Sequence, residues 1–152
     1  MRKHARLMAF IIAALLFSCL QSACVSDDPD ALETYNFDRD KVPSITSVVG
    51  ERTLVGVETE GNNEFPSMQY TYQSNSVFDD LSQYTKLLQE RGWTVTGGSY
   101  DLEEMPGSAQ FVKESADKGQ ILVLLISYEK NVYAIKITKL EAALVDLGSN
   151  SE

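Results

Sequence analysis

The chain has 152 residues, with 22 acidic against 13 basic side chains, a formal charge of −9, one histidine and two cysteines. So acidic a surface repels phosphate backbones, which are held by Lys and Arg with release of counterions, and this argues against a nucleic-acid partner. The histidine is His4 and the cysteines are Cys19 and Cys24; everything after them lacks the base of a Ser-His-Asp or Cys-His pair and the imidazole and thiolate ligands of zinc and copper.

Arg2, Lys3 and Arg6 precede an apolar run over residues 7–17, and Ser18-Cys19 and Ala23-Cys24 follow. A charged start, a short apolar run and small residues at the cut are the order of a secretory signal, and a run this short falls well below the ~20 residues of a membrane-spanning helix. The segment resembles the signal of bacterial lipoproteins, which are cut before a cysteine that carries lipid on its sulfur. Leu16-Phe17-Ser18-Cys19 has the family's leucine three places before the cysteine and a small residue beside it; Gln21-Ser22-Ala23-Cys24 is the alternative. The resemblance implies a signal over 1–18, a covalent diacylglyceryl group as the one expected prosthetic group, and a protein held on the outer side of a bacterial membrane, at the cell surface or the periplasmic face. Removal of the signal leaves 10 of the 13 basic residues against 22 acidic ones, a formal charge of −12.

Residues 25–41 carry six carboxylates (Asp27, Asp28, Asp30, Glu33, Asp38 and Asp40) without apolar periodicity. With the lipidated cysteine they are expected to form a flexible acidic tether over 19–41, because such a stretch buries too little apolar surface to order itself. A single domain is then expected over 42–140, followed by a tail over 141–152 that would hold at most a short helix. About 100 residues suffice for one core.

Alternation predicts strands over 44–49 and 53–59 about a Gly50-Glu51 turn, and a third over 67–73 after a loop rich in Gly and Asn. Ser76 with Asp79 imitates a capping box for a helix over 77–91, with Gly92 at its stop and Phe78, Leu81, Tyr84, Leu87 and Leu88 as its apolar stripe. Short strands follow over 93–96 and 109–114, then a hairpin of 120–128 with 132–138. The run over 121–126 is apolar on both faces, as for a central strand covered on both sides or a sheet that meets a partner. The expected fold is α+β: an antiparallel sheet of five to seven strands, in the order βββ-α-ββββ, with one main helix packed on one face.

Asp80, Tyr84, Leu87, Leu88, Gly92 and Trp93, with the pattern from Ala109-Gln110-Phe111 to Tyr133-Ala134-Ile135-Lys136-Ile137, resemble small bacterial lipoprotein domains without an assigned activity. There an Asp-led helix ends in Gly-Trp or Gly-Phe and an antiparallel meander closes the chain. The resemblance implies a fold and a compartment.

Asp101, Glu103 and Glu104 cluster in a loop and are weak calcium candidates, since no D-x-D-x-D-G loop with a trailing Glu accompanies them. Asn36-Phe37-Asp38-Arg39-Asp40 begins like such a loop but has Lys41 where the turn glycine belongs. Tyr70, Tyr72, Trp93 and Tyr100 could form a stacking platform for a saccharide or peptide, although aromatics at period two are more often core. No catalytic residue stands out. The expected function is a binding or interaction module for a protein, peptide or saccharide at the envelope; the alternatives are a carboxylate-dependent hydrolase and a structural envelope component.

Overall fold

The structure, a computed structural model, describes residues 32–61, 66–98 and 106–142. Among the described residues, eight strands in two sheets and two helices make an α+β fold that is mostly antiparallel sheet. In chain order these are β1 (Thr34–Phe37), β2 (Asp40–Pro43), α1 (Thr46–Val49), β3 (Thr53–Glu60), β4 (Ser67–Gln73), α2 (Val77–Glu90), β5 (Thr94–Gly98), β6 (Gly107–Glu114), β7 (Gln120–Tyr128) and β8 (Val132–Glu141). β1 and β2 form a hairpin of their own, and the other six strands form one sheet in the order β3-β4-β8-β7-β6-β5.

The strand count and order therefore differ from expectation at the N-terminal side. Residues 34–41, assigned to the tether, belong with residues 42 and 43 to two paired strands whose register sets Tyr35 against Val42 and Phe37 against Asp40. The carboxylates hid a period-two pattern: Tyr35, Phe37 and Val42 are all buried, while Asn36 and Lys41 between them are exposed. Asp38 makes the turn with φ +57°, a left-handed conformation that Asp tolerates.

Residues 44–49, expected as a strand, instead hold the short helix α1 over Thr46–Val49. The Ser44 hydroxyl accepts from Ser47 N at 3.2 Å and the Ser47 hydroxyl donates to the Ser44 carbonyl at 2.6 Å. Side chains that bond back to the nearby backbone compete with a sheet ladder, and Ile45, Val48 and Val49 fall at the i, i+3, i+4 spacing of one helix face.

The long helix α2 stops as its sequence requires. Gly92 takes φ +81°, its N–H donates to the Gln89 carbonyl and the Trp93 N–H to the Leu88 carbonyl, both at 3.0 Å, which is a Schellman stop with buried Trp93 and Leu88 beside it. At the other end no capping box forms, since Ser76 makes no side-chain cap bond. Ser74 replaces it, accepting from Ser76 N at 3.0 Å and donating to Asp80 Oδ2 at 2.6 Å.

One face of the six-stranded sheet carries the core. The rows Phe111-Leu124-Ile137-Met68 and Ala109-Ile126-Ile135-Tyr70 run across it from β6 to β4. Val77, Leu81, Tyr84 and Leu88 of α2 and Tyr35, Phe37 and Val42 of the hairpin belong to the same buried cluster. Tyr35 stacks on Tyr70 with centroids 4.2 Å apart, and the Tyr84 hydroxyl donates to the Pro43 carbonyl at 2.9 Å, so helix and hairpin cover the sheet together. Of the apolar run in β7, Leu122, Leu124 and Ile126 face this core, whereas Leu125 is 37 % exposed on the opposite face, beside Gln110 and Lys136.

Candidate functional site

A groove of about 670 Å³ opens where the hairpin, α1 and the C-terminal end of α2 meet. Leu32, Val48 and Leu87, each half-buried against the core, give it apolar lining. Lys41 from β2, Arg91 just beyond α2 and Lys113 from β6 supply three cationic heads, and Glu33 is the one carboxylate among the lining residues. None of the three cations forms an ion pair among the described residues. Lys113 Nζ donates one hydrogen bond to the Arg91 carbonyl at 2.8 Å, which satisfies an open carbonyl at the negative end of the helix and leaves two N–H groups of the ammonium for other partners.

The groove is built on backbone fixed from below. The hydroxyls of Ser44 and Thr46 both donate to the Leu32 carbonyl, the latter at 2.5 Å, and Ser44 N donates to the Glu33 carbonyl at 3.2 Å. The first described residues are thus clasped to the start of α1. Cationic heads around an apolar floor are suited to an anionic ligand with an apolar portion, because burial of the apolar part excludes water from the charged contacts and strengthens them.

Two ionic clusters, each centred on a buried side chain, tie α2 and the hairpin to the rest of the fold. Asp80 in α2, 1 % exposed, receives a two-pronged contact from Arg52, at 2.6 and 2.8 Å, and a hydrogen bond from Ser74. Burial pushes its carboxyl up, but the bonds from Arg52 and Ser74 outweigh that and hold it below the usual carboxylate range. Lys139 near the end of β8 is the second centre, with Asp117 at 2.8 Å, Asp40 at 3.0 Å and Asp38 at 3.3 Å from its ammonium. Burial works against that charge, yet the three carboxylates raise the Lys139 pKa well above the ordinary lysine value. Asp40 is pushed up by burial and pulled further down by the Ala116 N–H, the Ser115 hydroxyl and Lys139.

Of the residues expected to form a stacking platform, the described Tyr70, Tyr72 and Trp93 are buried. Tyr70 and Tyr72 lie in the core beneath the hairpin, where the Tyr35 hydroxyl donates to that of Tyr72 at 3.2 Å, and burial raises the Tyr70 pKa. Trp93 is buried as well, and its indole N–H has no partner among the described residues. Cys19, Cys24, Tyr100, Asp101, Glu103 and Glu104 lie outside the described residues. Among the described residues no group of three or more His, Cys, Asp or Glu side chains is arranged to hold a metal ion, and no helix is long and apolar enough to cross a membrane.

Lys41, Arg91 and Lys113 were not singled out in the sequence because no local spacing links them. They come from three elements, and Lys41 stood in a stretch read as tether. The usable signal was rarity: few cations remain in a strongly acidic chain, so three around one groove are a concentration. No protein family, curated protein or solved structure matches the chain.

Proposed function

We propose that the protein is an extracytoplasmic lipoprotein, anchored to a bacterial membrane by diacylglyceryl on Cys19, with Cys24 as the alternative, and that its α+β domain is a binding module working through the groove. The groove carries this reading: three cations without ion pairs among the described residues surround apolar side chains in an otherwise acidic chain. The lipobox-like Leu16-Phe17-Ser18-Cys19 supports the anchor. The two features are also close in sequence, since Leu32, eight residues after Cys24, lines the groove.

Two or more acyl chains hold a protein durably, at about 0.8 kcal/mol per buried methylene, whereas one holds it marginally. Fractionation of cells that express the protein tests the anchor. The wild type is expected in the membrane fraction and the Cys19→Ala/Cys24→Ala variant in the soluble fraction. Membrane retention of the double variant overturns lipid anchoring.

A further inference from the structure

Resting on that binding-module reading, we infer that the groove receives a short, acidic, extended segment of a partner protein, one that alternates carboxylate and apolar side chains. The apolar side chains would lie on Leu32, Val48 and Leu87, and the carboxylates would meet Lys41, Arg91 and Lys113.

Charge and shape together select this occupant. A single small anion would leave most of a 670 Å³ groove and its apolar lining unused, whereas a segment with several carboxylates meets cations contributed by β2, β6 and the end of α2 at once. An anionic bilayer also offers negative charge, but it is broad and would meet a chain of net negative charge as well as the groove itself. A short segment lying within the groove feels chiefly the three nearby cations, because fields from exposed charges fade over about 8 Å at physiological ionic strength. The cations have no ion pairs among the described residues to give up on receiving it. Arg91 and Lys41 are exposed and free of ion pairs among the described residues, and Lys113 is oriented by its bond to the Arg91 carbonyl.

The test titrates the full-length protein, in the presence of phosphatidylcholine nanodiscs, with a fluorescein-labelled peptide that alternates aspartate with leucine and with its asparagine counterpart. The aspartate peptide is expected to bind at least about tenfold more tightly, and the Lys41→Glu/Arg91→Glu variant, which keeps the Lys113 contact, to lose about that factor. Raising salt from about 0.1 to about 1 M, which shortens the screening length from roughly 10 to roughly 3 Å, is expected to weaken binding. An unchanged thermal midpoint shows that the variant folds, and Lys41→Gln/Arg91→Gln is expected to fall between it and the wild type. Equal affinity for the two peptides, or affinity indifferent to the charge reversal, overturns the inference. Displacement of the peptide when the discs contain phosphatidylglycerol overturns it in favour of the bilayer. Binding seen only after Asp27→Asn/Asp28→Asn/Asp30→Asn overturns it in favour of the chain's own acidic stretch. Fractionation of the cysteine variants reads the anchor and the titration reads the groove, so either can fail while the other stands.

Discussion

Asp80 shows how one side chain can be visible in a sequence while its work is not. A carboxylate in the first turn of a helix is expected from the helix dipole, and Asp79 and Asp80 satisfy that expectation equally. Only burial separates them: Asp79 faces solvent, and Asp80 is enclosed with Arg52, 28 residues away, and Ser74. Nothing local in the sequence announces that distant pairing. A buried carboxylate with a two-pronged guanidinium contact fixes geometry, and removing it leaves Arg52 partly buried without its counter-charge. Asp80→Ala is therefore expected to lower stability by about 3 kcal/mol, whereas Asp79→Ala should change it by less than about 0.5 kcal/mol. Urea unfolding of both variants measures the contrast, and equal midpoints would show that the pair contributes nothing.

The β1–β2 hairpin carries a lesson about reading charge. Its two strands are four residues each, too short for alternation to stand out among carboxylates, and stability comes from contacts with distant elements. Tyr35 is fully buried, stacked on Tyr70, with its hydroxyl joining Tyr72 and accepting from Ile45 N at 3.3 Å. Tyr35→Ala is thus expected to cost about 3 to 5 kcal/mol, as for other large aromatic truncations. Asn36→Ala, one position away and exposed, is expected to cost less than about 0.5 kcal/mol. Thermal unfolding distinguishes these outcomes, and a tether-like segment would give two small effects. The strands that were legible, β4 and β7 at both ends and α2 to within a residue of its stop, have long periodic patterns and strong punctuation from Gly, Asn and Ser. The groove was not legible, because it is a property of how hairpin, α1 and α2 meet.

Taken together, the charged groups set a pH window. Asp40, Asp80 and Asp117 have lowered values in the folded state; their contribution is present above the unfolded carboxylate value of about 4 and is lost as pH falls through the lowered ones. Lys139 is raised by its carboxylates, and Tyr35, Tyr84 and Tyr133 are raised first by burial. Their contribution is complete below about pH 10 and is lost as pH rises beyond that. No histidine occurs after His4 to titrate between. Urea midpoints are expected to be flat from about pH 5 to 9 and to fall on both sides; a slope across the neutral range would contradict the assignment. The Lys139 cluster has a second consequence, mechanical in kind. A pull arriving along the chain from its N-terminal side reaches the described residues at Leu32, meets the Ser44 and Thr46 clasp on its carbonyl, and then loads β1. Asp38 and Asp40 pass that load through Lys139 to β8, 101 positions further along from Asp38 and flanked in the sheet by β4 and β7. The ion pairs thus add a tie from the hairpin turn to the middle of the sheet, beside the aromatic packing that holds the strands themselves.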